Sequence, residues 1–145
     1  MKTNTNFELM IKEFDILQDV IKFQEDIRMK SRNWCITIIS AITITFISEK
    51  ISFSNLNFLI MNSVLIVLFL WLELIYRVAE KRAIIRSSYV ESALRGEKKY
   101  DGPLIGKSLS KSNSIKTQIK ELNNIRIYFT YLILFLLTIL IYLIK

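Results

Sequence analysis

The run Asn57–Arg86, N-F-L-I-M-N-S-V-L-I-V-L-F-L-W-L-E-L-I-Y-R-V-A-E-K-R-A-I-I-R, decides how this chain is read. Its first part, residues 57–76, carries one charge, Glu73, and is wholly apolar from Val64 to Leu72. At 1.5 Å per residue that is enough helix to cross the ~30 Å hydrocarbon core of a bilayer. No Gly or Pro interrupts residues 77–95, so the helix is predicted to continue through Arg77, Lys81, Arg82 and Arg86 to Arg95, with Gly96 as its C-terminal cap. Glu73 near the end of the apolar part is placed to pair with Arg77 at i+4.

Two further stretches flank this run. Residues 127–144 hold no charge and are polar only at tyrosines, Thr130 and Thr138. Residues 34–48 are shorter and diluted by Thr37, Ser40, Thr43, Thr45 and Ser48 before Glu49 and Lys50 close them. With 52% hydrophobic residues, a mean hydropathy of +0.35, 3 Gly and 1 Pro in 145 residues, the expectation is an all-α integral membrane protein with three transmembrane helices. An N-terminal amphipathic helix (1–33) and helical cytoplasmic extensions complete it. The expected order is 1–33 cytoplasmic, 34–48 spanning, 49–56 external, 57–76 spanning, 77–126 cytoplasmic and 127–144 spanning.

Charge orients these segments. Residues 1–33 hold six basic and six acidic groups, and residues 77–126 hold twelve basic and five acidic, so this connection equals the whole-chain net charge of +7. The positive-inside rule puts both in the cytoplasm and the C-terminus outside. Met1–Arg32 lacks the apolar central region of a signal peptide. The absence of His removes the usual neutral-pH base, and a single cysteine, Cys35, forms no internal disulfide. Neither an enzyme nor a bound cofactor or metal is expected.

In the N-terminal segment Phe7, Met10, Phe14, Leu17 and Ile21 recur at 3, 4, 3 and 4, with Lys12, Glu13, Asp15, Asp19 and Lys22 on other faces. This seam packs either on the protein's own cytoplasmic helices or on another copy. Beyond Arg77, cations at i and i+4 repel along one helix. Lipid headgroups account for Arg77 and Lys81, whereas Arg82, Arg86, Lys98 and Lys99 lie further out and are candidate contacts for a phosphate-bearing ligand. Lys107 and Lys111 can add to them. Gly106-Lys107-Ser108 imitates a phosphate loop but fails, because Gly102 is one residue too close and a helix precedes it where a strand is needed.

The polar stripe of the first span, Thr37, Ser40, Ala41, Thr45 and Ser48, has two uses. It allows close helix approach, or it lines a water-filled pore when several copies surround an axis. A pore requires a homo-oligomer such as a tetramer, since three helices cannot enclose a channel.

Gln24–Thr37, with Ile27-Arg28-Met29-Lys30-Ser31 leading to Trp34, together with Glu73-Leu74-Ile75-Tyr76-Arg77 and Glu80-Lys81-Arg82, resembles the small membrane effectors of bacterial anti-phage systems, the SLATT and Hailong types. The resemblance spans roughly residues 20–95 and is one of pattern; the third spanning helix departs from a two-helix SLATT plan. It implies an oligomeric pore in the bacterial inner membrane, controlled by a nucleotide or single-stranded oligonucleotide made by a partner nucleotidyltransferase. The alternatives are a scaffolding membrane subunit that binds a partner protein through the amphipathic helix, and an unregulated holin-like peptide.

Overall fold

The computed structural model describes residues 2–48, 54–110 and 125–144, and every regular element among them is a helix. The elements are α1 (Lys2–Ile47), α2 (Asn55–Leu94), α3 (Ile105–Leu109) and α4 (Ile125–Ile144). Glu49 and Lys50, and the helical pattern expected from Ser114, lie outside the described residues.

The amphipathic segment and the short polar segment, expected as separate pieces, form one uninterrupted α1 of 46 residues, about 70 Å long. No Gly or Pro lies between Lys2 and Ile47, so nothing in the backbone marks the change from charged to apolar composition. Helix α2 runs through its own change of composition in the same way, for 40 residues. Ser54 caps its start, the hydroxyl accepting from the Asn57 N–H at 3.3 Å. At its end Gly96 has φ +78°, the Gly96 N–H donates to Ala93 O and the Glu97 N–H to Ser92 O, both at 3.0 Å. This is a Schellman cap at the glycine expected from sequence.

Helices α1 and α2 pack antiparallel from the Glu13–Arg86 level to the Phe46–Phe58 level. At one end Leu17, Ala83 and Val90 form a buried core, with Met10, Phe14 and Ile21 of the seam against it. The seam therefore meets the protein's own helices, with Phe7 left exposed. Toward the other end Cys35, Ile39 and Ile66 pack with Tyr131 of α4, and the rings of Phe46 and Phe58 stack at 4.1 Å. Among the described residues only α2 is both long and apolar enough to cross a membrane; α4 holds a shorter apolar stretch, Tyr128–Ile144. After the Gly96 cap the chain turns back, and Tyr100, Ile105 and Leu109 lay the loop and α3 on the Leu17–Val90 core.

Candidate functional site

Charge pairs stitch α1 to α2 at three levels. Arg32 binds Glu73, whose other oxygen accepts from the Tyr131 hydroxyl at 2.7 Å, so one carboxylate ties three helices together. Arg28 lies 2.7 Å from Glu80, which also holds Arg77 at i+3. Arg86 grips Glu13 with two hydrogen bonds of 2.9 and 3.2 Å. Between the last two levels the Gln18 amide donates to Ser87 Oγ at 2.9 Å. Glu73 is wholly buried and does not take Arg77 as expected from sequence. Its side chain points into the interface with α1 and α4, and Arg77 turns toward Glu80 instead.

The Arg86–Glu13 pair is the centre of the best-built polar site. The Arg86 Nη2 that makes the longer of these bonds also donates to the Gly102 carbonyl at 2.7 Å and lies 2.9 Å from Asp101. Gly102 at φ +90° turns that carbonyl inward, a conformation costly for other residues. Glu13 also accepts from Tyr100 Oη at 2.7 Å and from the Leu104 N–H at 3.1 Å. Burial pushes the Glu13 carboxyl up, but donation from Arg86, Tyr100 and Leu104 outweighs this and holds it below its ordinary range. The Arg86 guanidinium likewise holds Asp101 low. Burial, together with donation to Glu13, pushes the Tyr100 phenol up.

Outside this knot lies a cavity of about 380 Å³ lined by Arg82, Ile85, Arg86, Tyr89, Asp101 and Lys107, among others. Tyr89 stands between charges: the Arg86 guanidinium lies 4.9 Å and the Lys98 ammonium 5.4 Å from its ring centroid, and its hydroxyl donates to the Lys99 carbonyl at 2.7 Å. Of the four cations singled out from sequence, Arg82 lines the cavity and also reaches the Leu109 carbonyl at 3.4 Å. Lys98 and Lys99 are exposed on the adjoining turn. Arg86 also lines the cavity, but it is 8% exposed and its charge is met by Glu13 and Asp101. Uncompensated repulsion therefore does not describe it, and its contacts tie the Asp101–Gly102 turn to α1 and α2. Sequence reasoning missed Glu13, Tyr89 and Asp101. Glu13 did leave a signal, since it lies 3 residues after Met10 and 4 before Leu17, on the apolar strip and not on the polar faces assigned to it. Gly106-Lys107-Ser108 lies in the one-turn α3, with the Ser108 hydroxyl donating to its own Ile105 carbonyl.

The hydroxyl stripe faces away from α2. Thr37, Ser40, Ala41 and Ser48 are exposed and Thr45 half-exposed, while Cys35, Ile39 and Phe46 of the same helix are buried. Thr37, Thr45 and Ser48 donate to the carbonyls of Asn33, Ala41 and Thr45 at 2.8–3.1 Å, so these three hydroxyls are satisfied within their own helix. Among the described residues no group of three or more metal-ligating side chains is assembled. No known protein family, curated protein or solved structure matches the chain.

Proposed function

We propose that this chain is a multi-pass membrane protein whose copies assemble into a pore, with a cytoplasmic site for a phosphate-bearing ligand that controls it. The reading takes 34–48, 57–76 and 127–144 as the spanning segments, the N-terminus inside and the C-terminus outside. The observation that carries it is a contrast on one surface. Around the apolar end the exterior is Ile36, Ile44, Val67, Leu68, Phe129 and Leu136, with Glu73 hidden, whereas α1 turns a row of exposed small polar residues, Thr37, Ser40 and Ser48 with Ala41, outward. Lipid gives such a stripe no advantage, and packing against other copies, with water on the axis, does. Internal pairing of the Thr37, Thr45 and Ser48 hydroxyls suits a pore wall that passes ions without binding them tightly.

The ligand half of the proposal rests on the cavity beside Tyr89, where an aromatic face, Arg82 and Lys107 suit a nucleotide or the end of a single-stranded oligonucleotide. In the setting implied by the resemblance to anti-phage effectors, a partner nucleotidyltransferase makes the ligand and opening damages the infected cell's membrane. For the scaffold alternative, Met10, Phe14, Leu17 and Ile21 of the Phe7–Ile27 segment are packed within this chain, while Phe7, Leu9, Ile11, Ile16 and Phe23 stay exposed for a partner protein.

The test is ion flux from vesicles holding the purified protein. Thr37→Leu and Thr45→Leu should cut flux without dispersing the oligomer, because a branched apolar ring dewets a narrow pore. Arg82→Glu with Lys107→Glu should abolish nucleotide control and spare the Arg86 knot. Unchanged single-channel currents in both leucine variants overturn the pore. With Cys35 replaced, an impermeant thiol reagent should label a cysteine at Ser54 and miss one at Ser110 in intact cells.

A further inference from the structure

A second cavity, about 480 Å³, is an open groove between α1 and α2 at the level where their charged and apolar parts meet. Lys30, Ser31 and Trp34 line it from α1, and Phe69, Leu72 and Tyr76 from α2. Antiparallel packing gives the groove a direction. Lys30 and Tyr76 lie at the end toward the charged helices, and Trp34 with Phe69 at the end toward the apolar ones, so polarity falls along it as in a phospholipid.

Two polar groups at its head end lack partners. Lys30 makes no ion pair among the described residues, although Arg28 and Arg32 on either side of it are both paired. Ser31 is 7% exposed and its Oγ makes no hydrogen bond. That is unlike Thr37, Thr45, Ser63 and Thr138, whose hydroxyls all donate to the carbonyl four residues back. A buried hydroxyl without a partner is unfavourable, and a phosphate or ester oxygen beside Lys30 would satisfy it.

We infer that this groove is a binding site for an anionic phospholipid, its phosphate held by Lys30 and Ser31 and one acyl chain laid along Leu72 and Phe69 toward Trp34. The site rests on the membrane reading above and deepens it. The long Lys30 side chain is able to lift toward the headgroup and admit it to the Ser31 hydroxyl. Tyr76 and Trp34 supply the amphipathic rings that suit this depth.

Trp34 and Trp71 are the two tryptophans of the chain, and Trp71 lies outside the groove. Full-length variants Trp71→Phe and Trp34→Phe each leave one reporter, to be placed in vesicles of brominated phosphatidylglycerol or brominated phosphatidylcholine mixed with unlabelled phosphatidylcholine. Trp34 quenching should half-saturate at about fivefold lower mole fraction of the anionic lipid, the preference one lysine near the surface confers. Lys30→Gln should remove that preference, while Trp71 shows none. Equal quenching of Trp34 by both lipids overturns the site and leaves the membrane reading standing. Quenching of Trp71 with Trp34 shielded from both lipids means that another copy fills the groove, which also overturns the site. If neither tryptophan is quenched, the membrane reading itself fails.

Discussion

The two ends of the α1–α2 hairpin solve the same packing problem with opposite surfaces. Around Leu17, Ala83 and Val90 the core is small, and buried charge, Glu13 on Arg86, fixes where the helices meet. Around Cys35, Ile39 and Ile66 the core is apolar, the exterior is apolar apart from the α1 hydroxyl stripe, and one carboxylate, Glu73, ties three helices together. The sign of the pairs reverses along the hairpin. At the charged end α1 gives the carboxylate and α2 the arginine; at Arg28–Glu80 and Arg32–Glu73 the roles are exchanged. A slip of one helical turn would strand buried charge at all three levels, so the pattern fixes register where apolar contacts alone would tolerate sliding.

The largest expected effect breaks the apolar end. Glu73→Ala leaves Arg32 and Tyr131 without their shared partner, and removing one member of a buried pair costs about 3–5 kcal/mol. Thermal unfolding in nanodiscs should fall steeply, with cysteine cross-links between α2 and α4 lost. The paired replacement Arg32→Leu with Glu73→Leu should recover most of that loss, since apolar residues often substitute for a buried pair without penalty.

The charged end should not be rescued in this way. Arg86→Met costs about 3 kcal/mol or somewhat more, and adding Glu13→Leu still strands the Tyr100 hydroxyl, the Leu104 N–H and the Gly102 carbonyl. Limited proteolysis between Gly96 and Leu104 should accelerate in both variants. Equal recovery by apolar pairs at the two ends would erase the distinction between them.

Acid sharpens it further. The folded state holds the Glu13 and Asp101 carboxyls below their ordinary values. Their contribution is therefore full above about pH 4, the unfolded carboxylate range, and is lost as pH falls from there through the lower folded values. Amide exchange at Leu104, referenced to an unstructured peptide, should lose protection in that window while amides near Ile39 and Ile66 keep theirs.

The smallest effects belong to the α2 terminus. Gly96→Ala meets no neighbour within 4 Å, so it should cost only the positive-φ penalty of about 1 kcal/mol. Glu91→Gln removes an exposed i,i+4 pair with Arg95 and should cost about 0.3 kcal/mol. Chemical denaturation resolves the first and leaves the second near its error.

What could be learned from the chain without its fold is local. The missing helix breakers in α2, the Gly96 cap and the 3–4 spacing of Met10, Phe14, Leu17 and Ile21 all depend on groups within a turn or two of each other. Spacing identifies the seam but leaves its partner open between this chain and another copy; packing on Ala83 and Val90 decides it. Glu13, Arg28, Arg32 and Glu73 sit 41–73 residues from the partners that neutralise them, and Arg86 sits as far from Glu13. Periodicity reports which side chains share a face of one helix and says nothing about the helix opposite, so Arg86 looks like a repelled cation in sequence and is a buried strut in the fold. The same limit hides the lipid groove, because Lys30 and Ser31 gain meaning only when Leu72 and Tyr76 arrive from a helix some forty residues further on. Sequence sets which residues form helices through neighbours along the chain, whereas compensation of charge is settled only where two helices meet.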